Sequence, residues 1–229
     1  MNVYPVEELL NSLKSPEDVM SVLFSPKEEF QAELVMDRAP FAAGGFKTAH
    51  HASLIFEEID DDSDDPKRKR YSNLVGKRPF MPTGKPGGKR RLAFPKEVEE
   101  VKKEGLGHIW ASTLLDWCMA WLRGRDTPLP AKIPKLSYIP ACFVRGTPRR
   151  ENASEGCLLL EHRIYGTFVK YINNGAAHPV DASVDLTDLL QFLVFVQHWQ
   201  FWKTGGMAYT SDFQGNEHEL TDPQIMTHP

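Results

Sequence analysis

Cysteine is scarce in this sequence. Only Cys118, Cys142 and Cys157 occur in 229 residues, isolated from one another and odd in number. They form no C-x-x-C pair, which excludes a disulfide framework and a zinc ribbon and leads us to expect a reducing, intracellular setting, cytoplasmic or nuclear. Long apolar runs are also missing, since no stretch reaches the roughly eighteen uncharged residues of a membrane span. The opening MNVYPVEELLNSLK carries acidic residues where a secretory signal would be basic, so neither export nor a membrane partner is expected. Excess positive charge is lacking too: 27 Lys and Arg stand against 31 Asp and Glu, a formal net charge of -4. That balance gives no general attraction to nucleic acid, and the basic runs Lys67–Arg70 and Gly88–Arg91 have no interleaved aromatics to stack on bases. Nucleic acid is therefore not an expected partner.

What remains is an ordinary globular composition, 41% hydrophobic and 25% charged. Residues 1–35 read as a helical leader, because Ser15-Pro16 and Ser25-Pro26 each place a capping hydroxyl before a proline suited to a first helical turn. Residues 36–229 read as one domain. An extended segment is expected around Phe46–Phe56. The charged run 57–70 and the Gly/Pro-rich run 82–91 are expected to be flexible loops. Leu106, Ile109, Trp110, Leu114, Trp117, Cys118 and Trp121 recur at helical spacing and predict a helix over 104–122. The Pro-rich stretch 127–140 reads as a connector. Strands are expected at Tyr138–Val144, Cys157–His162 and Thr167–Ile172, the last two forming a hairpin. A second helix, Leu186–Lys203, should stop at Gly205-Gly206 before a strand Met207–Phe213. Helices and strands in this order indicate an α+β fold.

The chemistry concentrates near the C-terminus. Asp212, Gln214 and Asp222 supply two carboxylates and a carboxamide, hard oxygen donors of the kind that suit magnesium. Their setting, Asp212-Phe213-Gln214-Gly215 followed by Leu220-Thr221-Asp222-Pro223-Gln224-Ile225, resembles the D-L-Q-G and T-D-P-Q elements of the α-type protein kinases. Upstream, Pro40-Phe41-Ala42-Ala43-Gly44-Gly45-Phe46-Lys47-Thr48-Ala49-His50 is similar to that family's P-F-A-x-G-x-x-R-x-A-Y strand, with Lys47 at its arginine and His50 at its tyrosine. Val75-Gly76-Lys77 resembles its V-A-K strand. Leu160-Glu161-His162 and the segment from Gly166 through Lys170 to Asn174 resemble its hinge and its Y-x-K-Y-N-N segment, and Gln197-His198-Trp199 resembles its S-H-[FW] helix.

The resemblance implies a two-lobed, atypical kinase-like fold: an N-terminal lobe of antiparallel strands with a packed helix, and a C-terminal lobe left incomplete at Pro229. It also implies ATP and magnesium as cofactors and a protein Ser or Thr hydroxyl as acceptor, with the substrate protein unspecified. Lys77 would pair the α and β phosphates, Lys47 would lie near them, and Glu161 would face adenine and ribose. Asp212 would be the catalytic aspartate, Lys170 would balance its charge, and Gln214 and Asp222 would serve metal and phosphate. His198 falls at the family's zinc histidine, but the other zinc ligands have no counterpart before Pro229, so a complete zinc site is not expected and a packed helix histidine is the competing reading. The alternative function is a catalytically impaired nucleotide-binding or partner-binding pseudokinase.

Overall fold

The computed structural model describes residues 31–60, 63–126, 133–146, 156–176, 180 and 187–227. The chain divides into two units, one holding 24–105 and 140–163, the other holding 106–139 and 164–229.

The first unit is built on an antiparallel sheet. Its strands are β1 (Glu33–Met36), β2 (Ala42–Ala43), β3 (Lys47–Asp60), β4 (Ser63–Pro82) and β5 (Lys89–Arg91), and further along the chain Ala141–Gly146 and Gly156–His162. Only residues 1–30 of the expected helical leader lie outside the described residues, and Glu33–Val35 at its end belong to β1. Run 57–70 is not a loop: β3 and β4 continue through it as a hairpin, with Glu57 opposite Arg68 and Glu58 opposite Lys67. Placing acidic Glu57 across from basic Arg68, whose Nε lies 4.0 Å from its Oε1, helps a segment without apolar periodicity stay paired. Run 82–91 is likewise a hairpin, because Lys89–Arg91 pairs back onto Phe80–Pro82 around a turn closed by Thr83 and Gly88.

Helix α1 (Phe94–Arg123) begins ten residues before the expected start. Pro95 in its first turn has no N–H to leave unsatisfied, so the helix can open there. Its residues to Gly105 count with the first unit and those from Leu106 with the second. On the first-unit part, Val98 and Val101 pack with Phe94, Ala141, Phe143, Cys157 and Leu159, while Lys96, Glu99, Glu100 and Lys103 form a solvent-side ladder of i,i+3 and i,i+4 pairs.

Continuing along the chain, β6 (Ser137–Tyr138) interrupts the expected connector, and β7 (Ala141–Gly146) and β8 (Gly156–His162) complete the first sheet in the order β1-β3-β4-β8-β7. The second unit contributes β9 (Val169–Lys170), α2 (Thr187–Lys203), β10 (Ala208–Ser211), β11 (Gln214–Gly215), β12 (Glu219–Thr221) and β13 (Gln224–Thr227). The expected hairpin of Cys157–His162 with Thr167–Ile172 does not form. β8 pairs with β4 and β7, whereas β9 pairs with β11.

In the second unit β6-β12-β11-β9 form one sheet and β10-β13 a separate ribbon. Its core gathers Leu115, Met119 and Leu122 of α1 with Leu193, Val196 and Trp199 of α2 and with Tyr171, Ile172, Phe213 and Leu220. Trp117 meets Trp199 edge-on at 4.8 Å. Helix α2 ends in a Schellman turn: Gly206 N–H donates to Phe201 O at 2.7 Å and Gly205 N–H to Trp202 O at 3.1 Å, with φ of 83° at Gly206 and 64° at Gly205 that favour glycine. Among the described residues no helix is long and apolar enough to cross a membrane.

Candidate active site

Lys77 occupies an interior position of the first unit's sheet, opposite Ala49 on β3 and Leu159 on β8. Glu161 stands two residues further along β8, hence on the same side of the sheet, and its Oε2 lies 2.8 Å from Lys77 Nζ. The pair is shielded, with side-chain exposures of 12% for Lys77 and 2% for Glu161. The shielded Glu161 carboxylate thus fixes where the ammonium sits. Lys47, at the start of β3, is ion-paired to Glu104 of α1. Glu104 was not among the residues singled out from sequence. Its signal was its position seven residues after Glu97, two helical turns along the same face.

The acidic residues belong to the second unit. Asp212 sits between β10 and β11, 8% exposed, with φ of 60°. Asp222 follows β12 with φ of 56°. Left-handed backbone is rare outside glycine, and Asp and Asn tolerate it best; where it persists at carboxylates the surroundings dictate it. Lys170, the exposed residue of β9, reaches Asp212 Oδ1 with its Nζ at 2.7 Å. Gln214 lies opposite Lys170 on one side and Thr221 on the other. From there its Nε2 donates to the Oδ2 and the main-chain oxygen of Asp222, each at 3.3 Å.

Gly215 completes the motif for a steric reason. Its φ is 150°, and a Cβ there would stand 2.0 Å from Glu219 O. Asn216 closes the β11–β12 loop, its Oδ1 accepting from the N–H groups of His218 and Glu219 at 2.7 and 2.6 Å. Tyr138 of β6 is a further residue of this region that sequence reasoning missed. Burial, and then the negative charge of Asp212, hold its phenol well above the ordinary tyrosine range.

The geometry therefore assembles Lys77 with Glu161, Lys170 with Asp212, and Gln214 with Asp222. His198 joins none of them: it is exposed on α2, not packed, and its Nδ1 lies 2.8 Å from Val194 O of its own helix. Among the described residues no group of three or more His, Cys, Asp or Glu side chains is arranged to hold a metal ion.

The sequence matches the alpha-kinase family over residues 43–229, more than half of the chain. The chain belongs to the alpha-kinase family. No curated protein matches it. Solved alpha-kinases share its fold at low identity. An alpha kinase from Entamoeba histolytica matches with a TM-score of 0.54 at 17% identity, covering 92% of this chain and 73% of that one. The alpha-kinase domain of myosin heavy chain kinase A in complex with ADP gives 0.52 at 17% identity, and the same domain with AMP-PNP gives 0.51 at 15%, each covering 86% of this chain and 75% of the other. The α+β, kinase-like fold of this alpha-kinase is thus that of the solved domains. Family membership makes it a protein kinase.

Proposed function

We propose that this alpha-kinase is a catalytically competent serine/threonine kinase that transfers the γ-phosphate of ATP-Mg to a hydroxyl of a protein substrate. The observation that carries the reading is Asp212, a shielded carboxylate in left-handed backbone, charge-paired to Lys170 at 2.7 Å and two residues before Gln214. Phosphoryl transfer asks little covalent chemistry of a protein; it needs charge placed where charge develops and an acceptor held in line. Asp212 would orient the acceptor hydroxyl and take its proton, with the Lys170 ammonium limiting the cost of a buried charge.

Lys77, positioned by Glu161, would meet the α and β phosphates as a compact point charge. Lys47 would serve the phosphates nearby once it exchanges Glu104 for them. Nucleotide binding is supported by the ADP and AMP-PNP complexes of the fold's solved relatives. Gln214 and Asp222 fit magnesium by donor chemistry, since a carboxamide and a carboxylate are hard oxygen donors and magnesium takes its remaining ligands from phosphate and water. When bound, the ion would neutralise phosphate charge. A protein hydroxyl as acceptor and a cytoplasmic setting belong to the same proposal.

The test is to incubate the purified chain with ATP-Mg and a mixed Ser, Thr and Tyr peptide library and to locate transferred phosphate by mass spectrometry. Phosphoserine and phosphothreonine are expected; phosphotyrosine alone, or none, contradicts the proposal.

A further inference from the structure

Glu97 is completely buried in the first turn of α1, yet it is a carboxylate. Its Oε1 accepts from Arg91 Nε at 3.0 Å and its Oε2 from Arg91 Nη2 at 2.8 Å. Arg78 Nε lies 3.4 Å from Oε1, and the Cys157 N–H donates to Oε2 at 2.9 Å. One side chain therefore ties together three strands: β5 at Arg91, β4 at Arg78 and β8 at Cys157. Gly156 leaves the room this requires, because a Cβ there would come within 2.8 Å of Arg91 Nη2 and 2.9 Å of Arg78 Nη2.

Arg78 directly follows Lys77, and Cys157 is the second residue of β8, the strand that carries Leu159, the cross-strand neighbour of Lys77, and Glu161, its counter-ion. We propose that Glu97 is a positioning residue for Lys77, holding β4 and β8 in the register that places the Lys77 ammonium. This rests on the reading of Lys77 as the phosphate-binding lysine. Helix docking alone does not need the network. Phe94, Val98 and Val101 already supply an apolar face against Cys157 and Leu159, and burying charges costs more than burying such groups. What apolar packing does not supply is direction, and a bidentate carboxylate–guanidinium contact does.

The experiment compares Glu97→Gln with Glu99→Gln, an exposed control on the same helix, in protein carrying 13C,15N-lysine. Lys77 is assigned by its loss in Lys77→Arg, and its Nζ and Cε resonances are read beside the ATP-Mg Kd and thermal unfolding. We expect Glu97→Gln to unfold cooperatively, to move the Lys77 resonances, and to raise Kd roughly tenfold, the scale on which groups behind a ligand-binding residue act; Glu99→Gln should change none of these. A folded Glu97→Gln with parental Lys77 resonances and parental Kd overturns the proposal. Should Glu97→Gln not fold, Arg78→Lys, which keeps the charge but not the Nε contact, takes its place, and unshifted Lys77 resonances there overturn it equally. Resonances that move in a protein that binds no nucleotide uphold the positioning role and overturn instead the phosphate-binding reading of Lys77.

Discussion

Lys170 Nζ stands 2.7 Å from Asp212 Oδ1, an exposed cation reaching an aspartate that is 8% exposed. Because the lysine is the more accessible partner, it can be changed without opening the core. Lys170→Met should leave nucleotide affinity near that of the parent and lower the rate of transfer, and Lys170→Arg should recover part of the loss. Steady-state kinetics that instead show an altered KM for ATP with kcat unchanged would place Lys170 on the nucleotide rather than on Asp212.

The Lys77–Glu161 pair changes what Lys77→Ala is expected to do. On sequence alone that substitution looks harmless to the fold. With Glu161 only 2% exposed, removing its 2.8 Å counter-ion takes the Lys77 charge away from a buried carboxylate, at a cost of about 3–5 kcal/mol. Lys77→Met with Glu161→Gln should regain most of that stability and still bind ATP-Mg poorly. Urea unfolding and calorimetry separate the two effects, and a double variant no more stable than Lys77→Met counts against the pairing.

Gly215→Ala should destabilise the protein by at least about 1–3 kcal/mol, since it combines a backbone conformation reserved for glycine with a Cβ facing Glu219 O at 2.0 Å. Transfer should fall as well, because Gln214 sits in the same two-residue strand. A melting temperature equal to the parent's would show that the β11–β12 loop yields easily.

Alkaline pH provides a test of burial. The thiols of Cys118 and Cys157 are pushed up by burial from 9.0 to about 12, and Tyr138 is raised in the same direction. Above pH 9 the unfolded chain releases those thiol protons while the folded one keeps them until about 12, so stability is full below pH 9 and declines as pH rises through that window. Urea midpoints near neutrality and midway through the window should differ, and Cys118→Ala should flatten the decline. A constant midpoint would mean these groups are accessible in the native state.

Much of this was legible in the sequence because the signals were local. The Leu106–Trp121 stripe, the double glycine after Lys203 and the Asp212–Gly215 motif each announce their structure within a few residues. Less legible were features that depend on cross-strand partners. The run 57–70 looks like a solvated loop until Glu57 is set opposite Arg68. The pairing of β9 with β11 instead of β8 joins residues more than forty positions apart in the chain. Glu97 lies outside the helix expected over 104–122 and Glu104 at its first residue, and only the fold shows that Arg91 and Arg78 converge on Glu97 and Lys47 on Glu104.

The most direct measurement of the central claim is the single-turnover rate of phosphate transfer from ATP-Mg by the parent and by Asp212→Asn, with nucleotide affinity measured on the same samples. Asparagine keeps the side-chain shape and tolerates the φ of 60°, so the substitution removes charge and basicity with little cost to the backbone. Transfer should fall at least about a hundredfold with nucleotide affinity largely retained. Equal rates for the two proteins would contradict it.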